Sequence, residues 1–106
     1  MASFRVEVDR EIHKATRRLP GNIRQRVLRA LKGLRDEPRP AGSEALDVGE
    51  FELPPGVEPR RIRMESWRIV YVVEEEDLRV SVLAIRQRPP YQYDDLGELF
   101  ASILDR

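Results

Sequence analysis

The chain has no cysteine, one histidine, one tryptophan and no net charge. Without cysteine there is no disulfide framework, no thiolate metal site and no cysteine nucleophile. The lack fits a reducing compartment and a cytoplasmic protein. A single histidine rules out a multi-histidine metal site, and any Ser-His-Asp set must use His13. That residue lies beside Lys14, off the apolar stripe of its segment, as an exposed histidine would. No metal and no cofactor is expected. Long hydrophobic runs are also missing. The longest useful one covers residues 69–73, far short of the roughly 20 residues a membrane helix needs. The opening MASFRVEVDREIHK lacks the apolar stretch of a signal peptide.

What is present suits one small α+β domain over residues 1–106, with 41% hydrophobic and 36% charged residues. The zero net charge hides regional differences. Residues 1–40 hold 11 basic and 5 acidic side chains, whereas residues 41–59 hold 5 acidic and none basic. Arginine supplies 17 of the 19 positive charges. Genome composition alone can produce such a bias, and so can bidentate phosphate recognition.

Phe4, Val6 and Val8 alternate with Arg5, Glu7 and Asp9, the pattern of a strand with one buried face. Asp9 suits an N-cap, and Ile12, Ala15, Thr16 and Leu19 continue at helical spacing to residue 19. After Leu19-Pro20-Gly21, Asn22 and Gln25 resemble a capping box. They open a second helix with the stripe Ile23, Val27, Ala30, Leu31 and Leu34. Residues 38–59 read as irregular, with a partial strand at 45–48 or 51–53. A three-stranded meander follows over residues 60–64, 67–73 and 78–85, with Glu65-Ser66 as a two-residue hairpin loop. Pro89-Pro90 ends it, and residues 93–105 form an amphipathic helix.

The short loop predicts register. If Met64 opposes Trp67, then Ile62 opposes Ile69 and Arg63 opposes Arg68. One face then holds Ile62, Met64, Trp67, Ile69 and Tyr71, joined by Val80, Val82 and Ala84 if Val73 opposes Leu78. The other collects Arg61, Arg63 and Arg68, flanked by Val70, Val72 and Leu83. Charged outer faces are ordinary in antiparallel sheets, but directly opposed like charges cost up to roughly 1 kcal/mol. An anionic ligand such as polynucleotide phosphate gives that cost a reason. Strict alternation sends Arg86 and Arg88 to the helix side, and Arg88 reaches the patch only if the strand ends or bulges near Ile85. Tyr91 and Tyr93 next to these arginines suit base stacking or core packing. The run Glu74-Glu75-Glu76-Asp77 reads as a solvated turn.

With these elements placed, the chain resembles the RelE/ParE superfamily of type II toxin–antitoxin toxins. The likeness lies in the Leu-Pro break, in LRDEPRP, and above all in RIRMESWRIVYVV within the block that ends at Arg88. It implies a β-α-α-β-β-β core with an antiparallel sheet, the two N-terminal helices on one face, a C-terminal helix, and an open opposite face. It also implies a ribosome-dependent mRNA endonuclease that cuts in the A site by metal-independent attack of a 2′-hydroxyl, neutralised by a cognate antitoxin. The alternatives are a ParE-like inhibitor of DNA gyrase or a degenerate antitoxin-binding module. By motif position, the resemblance assigns Arg68 and Arg88 to catalysis. Arg61 and Arg63 fall where some relatives have lysine, and Tyr91 or Tyr93 is the site tyrosine. Arg61, Arg63 and Arg86 would bind RNA. Three departures stand out. The chain is neutral where RelE toxins are typically basic, and arginine at the lysine-like positions is a poor general base because it stays protonated. No histidine or glutamate is evident near the sheet end, which leaves three readings: a tyrosine as the base, little general-base help, or a chain that does not cleave RNA. The antitoxin would cover the arginine face and the helices. Asp94, Asp95 and Glu98 would let the C-terminal helix screen the basic face.

Overall fold

The structure, a computed structural model, describes residues 3–46, 53–87 and Phe100. The opening strand β1 is Arg5–Val8, followed by helices α1 (Arg10–Arg17) and α2 (Gly21–Gly33). Strands β2 (Ser43–Ala45), β3 (Val57–Met64), β4 (Trp67–Glu74) and β5 (Arg79–Gln87) complete the described elements. They form one five-stranded sheet in the order β1-β5-β4-β3-β2. The fold is the expected α+β arrangement, with one difference. The sheet is mixed, because β1 runs parallel to β5 while the other neighbours are antiparallel. The connection between this parallel pair is everything from α1 to β4: the helices carry the chain to β2 at the far edge, and the antiparallel strands bring it back to β5. Among the described residues no helix is long and apolar enough to cross a membrane.

Asp9 caps α1 as its type predicts, its carboxylate accepting from the Ile12 amide at 2.9 Å. The second helix departs from expectation. It starts at Gly21 behind an extended Pro20, and no side chain caps it. The Pro20 carbonyl already accepts from the Arg24 amide at 2.8 Å, which places Asn22 inside the first turn rather than at the cap.

The helices lie on one sheet face. Leu19, Ile23, Val27, Leu31 and Leu34 close over Ile62, Met64, Ile69, Tyr71, Val73, Val80 and Val82, with Phe4 and Ile85 in the same core. Tyr71 is fully buried there, and its hydroxyl donates to the Pro38 carbonyl at 2.9 Å. Burial pushes its phenol upward, partly opposed by hydrogen bonding to Ser43 and Arg60.

The β3–β4 hairpin has the expected register, Met64 against Trp67 and Arg63 against Arg68. Its two-residue loop holds Glu65 at φ 55°, so the turn geometry forms without the glycine that usually favours it. The β4–β5 register differs from expectation. Val73 opposes Val80 rather than Leu78, and the pairing slips by one residue between Val70 and Tyr71. A bulge at this slip changes the alternation of the second half of β5. Ala84, expected on the helix face, joins the opposite one, and Ile85 takes the core position.

That opposite face is not simply open. Val70, Val72 and Ala84 form a second apolar cluster with Leu46 and Phe100, flanked by Leu53, Val57 and Leu83. Phe100 is fully buried. Two valines and an alanine in the middle of the face are too apolar to stay in water, so segments outside the strands cover them.

Candidate functional site

One end of this second face is built from arginine. Residues directly opposed in a sheet share a side. On β3, Arg61 and Arg63 alternate with Ile62 and Met64, which are core residues, and so face away from the helices. On β4, Arg68 alternates with Ile69 and falls on the same side. On β5, the bulge carries Arg86 there as well, directly opposite Arg68. The result is a row, Arg63–Arg68–Arg86, crossing three adjacent strands. At the usual strand spacing it is about 10 Å wide. Arg61 sits one step inward, opposite Val70.

The structure therefore brings Arg61, Arg63, Arg68 and Arg86 together. The expectation that alternation would turn Arg86 toward the helices is corrected by the bulge, since one extra residue in β5 inverts the side of everything after it. Arg88, Tyr91, Tyr93 and the predicted helix over 93–105, apart from Phe100, lie outside the described residues.

The side chains differ in how firmly they are held. Arg68 is half-buried and its Nη1 donates to two backbone carbonyls, Glu65 at 2.7 Å and Trp67 at 2.8 Å. These bonds fix the guanidinium against the hairpin turn. Arg63 is exposed and makes no hydrogen bond or ion pair within the described residues. Arg61 donates to Glu44 at 3.1 Å.

Glu44 is the residue that the sequence reading missed. It lies in β2, inside the stretch read as irregular, and opposes Arg61 across the β2–β3 ladder. Its carboxyl is held below the usual carboxylate range, first by the hydrogen bond from Arg61, then by the charges of Arg61, Arg63 and Arg68. Three arginines acting on one carboxylate is itself a sign that they converge. The expectation that no glutamate stands near the sheet end is thus corrected. The only local signal was a glutamate flanked by Ser43 and Ala45, and the pairing that places it spans 17 residues.

The segment carrying Glu44 is fastened on the helix side. Arg60, opposite Ala45, donates to the Ser43 hydroxyl at 2.9 Å and to Glu58 at 2.5 Å. Arg39 donates to the other Glu58 oxygen at 2.8 Å. At the far end of the second face Glu74 is buried and takes two hydrogen bonds from Arg79, at 2.8 and 3.0 Å, and one from Ser81. Part of the acidic turn is thus a structural anchor rather than wholly solvated. His13 is exposed on α1, as its spacing predicts.

No protein-family model and no curated protein matches the chain. Solved structures do. The RelE–RelB complex of Pyrococcus horikoshii superposes with a TM-score of 0.70 at 24% identity, covering 84% of this chain and 99% of that one. The free E. coli toxin RelE, solved with two arginines two positions apart changed to alanine, gives 0.55 at 21% identity, covering 100% and 98%. The isolated E. coli RelE toxin gives 0.54 at 20% identity, covering 96% and 99%. This chain has the fold of the RelE toxins.

Proposed function

We propose that this chain is the toxin of a type II toxin–antitoxin pair and acts as an mRNA endonuclease on the ribosome. The observation that carries the reading is the Arg63–Arg68–Arg86 row, with Arg61 beside it and Glu44 facing it. Opposed arginines on three strands cost stability, and a polyanion that binds across them offsets that cost. The likeness to RelE toxins supports the same reading, and the complexed RelE among them supports a cognate antitoxin. Arg86 and Arg88 have the two-residue spacing of the arginines replaced in the free E. coli toxin, which supports a role for both.

In this mechanism the 2′-oxygen of one nucleotide forms a bond to the adjacent phosphorus, and the bond from phosphorus to the 5′-oxygen breaks. Glu44 takes the 2′-hydroxyl proton, as a carboxylate that the neighbouring arginines keep ionised. Arg68, held by the turn carbonyls, points its remaining N–H groups at the scissile phosphate. Preorganised donors of this kind are worth ~10²–10³ in rate each. Arg61 and Arg63 bind flanking phosphates. Arg86 and Arg88 meet the charge that develops on the phosphoryl and leaving oxygens. Tyr91 and Tyr93 stack on the bases. The ribosome supplies the message in an extended form suited to in-line attack.

Inducible expression in a bacterium tests the proposal. Growth should stop, with cuts at A-site codons mapped by primer extension, and Arg68→Ala, Arg86→Ala or Arg88→Ala should relieve both. Toxicity unchanged in all three variants defeats the site assignment. Growth arrest with intact messages and inhibited gyrase supercoiling would move the chain to the ParE-like reading.

A further inference from the structure

Glu44 stands on the least supported strand of the sheet. Strand β2 is three residues long, lies at the edge and pairs with β3 alone. Ordering each residue of so short a strand costs backbone entropy that a few ladder bonds barely offset. Within the described residues the Glu44 carboxylate is held by Arg61, through a pair in which Glu44 is exposed. A phosphate of the message competes for that same guanidinium. The pair therefore loosens at the moment when the proposed reaction needs Glu44 in place.

The residue before it is held far more firmly. Ser43 is buried on the helix side of the sheet, opposite Ile62. Its amide and its hydroxyl both donate to the Pro40 carbonyl, at 2.8 and 2.7 Å. The hydroxyl also accepts from Arg60 Nε at 3.1 Å and from Arg60 Nη2 at 2.9 Å, and the Ser43 carbonyl accepts from Nη2 at 3.3 Å. Arg60 is itself fixed. Its side chain is 14% exposed, and its Nη1 donates to Glu58, whose other oxygen accepts from Arg39. On either side of Ser43, Tyr71 donates to the Pro38 carbonyl and the Leu46 amide donates to the Pro59 carbonyl.

We infer that Ser43 and Arg60 are positioning residues for Glu44, holding its backbone opposite Arg61 while its carboxylate leaves that pair for the message. Neighbouring Cα atoms are about 3.8 Å apart, and successive strand side chains leave opposite faces. Fixing Ser43 on the helix side thus fixes where the Glu44 side chain starts and that it leaves toward the arginines. Only a side chain that donates and accepts at once fills the Ser43 position, since an alanine there leaves two Arg60 N–H groups without their acceptor. The inference rests on the reading of Glu44 as the proton acceptor.

Ser43→Ala tests it, because this change removes the hydroxyl and alters no charge. Carbon-13 NMR of the free full-length chain follows the Glu44 carboxyl through an acid titration. Single-turnover cleavage in a reconstituted translation reaction gives the rate at saturating message and the half-saturating concentration separately. The groups that lower the Glu44 carboxyl are Arg61, Arg63 and Arg68, all on the second face. In Ser43→Ala its midpoint should move up toward that of an unpaired glutamate as the strand drifts from them. The saturated rate should fall by about tenfold or more, within the ~10²-fold that a misplacement of about 1 Å costs, with half-saturation unchanged. Ser43→Thr keeps the hydroxyl and should keep both parental values. Arg60→Lys keeps the charge beside Glu58 but not the fork that spans Ser43, and should move the midpoint in the same direction as Ser43→Ala. A parental midpoint and rate in Ser43→Ala overturn the inference, and so does an equal loss in Ser43→Thr. Equal cleavage by the parent and Glu44→Gln defeats the reading of Glu44 as the base, while a raised midpoint in Ser43→Ala would still show Ser43 holding that carboxylate in place.

Discussion

At the scale of single residues, the site depends on how each charge is held. Arg68 is anchored at the hairpin turn by the Glu65 and Trp67 carbonyls, which fixes where its charge sits. Arg61 is paired with Glu44, whose side chain is 63% exposed. Exposed pairs of this kind are worth ~0–1 kcal/mol, so a phosphate can displace the carboxylate from its partner. Glu44 is then free to accept a proton. Before the message binds, Arg61, Arg63 and Arg68 hold its carboxyl below the usual range, so it is ionised in the free protein through mildly acidic pH. At subsaturating message, where the free protein's titration is read, cleavage should therefore persist as pH falls toward the ordinary carboxylate range and decline only beneath it. Glu44→Gln should lower the cleavage rate by ~10²-fold or more, the usual worth of a general base. A parental rate for that variant in a reconstituted translation reaction removes Glu44 from the mechanism.

At the scale of elements, a one-residue irregularity in β5 decides which arginines meet. The slip between Val70 and Tyr71 puts Arg86 beside Arg68 and Ile85 in the core. Deleting Leu83 removes the extra residue and leaves Val82 opposite Tyr71, Ala84 opposite Val70 and Arg86 opposite Arg68. The strand should therefore tolerate that deletion far better than Ile85→Arg, which buries an unpaired guanidinium in the helix-side core, costs ~3 kcal/mol or more and should sharply lower the urea midpoint. A midpoint for Ile85→Arg near that of the parent would show that residue 85 does not face that core. The β2–β3 clamp makes a prediction about pH. Burial alone would raise Glu58, but the hydrogen bonds and charges of Arg39 and Arg60 outweigh it and leave the carboxyl lowered. A lowered folded-state pKa gives stability that is present above the unfolded value and lost as pH falls through the folded one. Glu58→Gln should therefore be less stable at neutral pH, with the gap to the parent closing in acid. Denaturation curves at pH 7 and pH 3 measure it, and a gap that stays constant excludes Glu58 as its source. Phe100 bears on the C-terminal segment. Removing residues 95–106 would expose the cluster at Val70, Val72 and Ala84, so lost stability would accompany any gain in access to the arginines.

At the scale of the whole molecule, neutrality and basicity coexist because charge is sorted by layer. The helical layer is strongly basic, while the remaining chain carries the acidic excess. Such a molecule has little net repulsion near its sequence pI of about 6.6. Light scattering should show association at low salt near that pH and dispersal as salt rises past the screening range. Association unaffected by salt would indicate an apolar contact instead.

The sequence by itself determined much of this. Alternation and helical spacing located the strands and helices, and the two-residue Glu65-Ser66 loop allowed only one register for β3 against β4. Arg61, Arg63 and Arg68 could be placed on one face for that reason. These are local relations, fixed by period and by the reach of a short turn. Tertiary structure decided the rest. The bulge that turned Arg86 comes from fitting β5 between β4 and the parallel β1, with Val80, Val82 and Ile85 all seeking the helix-side core. Glu44 reached the arginines through a ladder between segments 17 residues apart. Neither has a local signature, because each is chosen by the burial of groups far away along the chain.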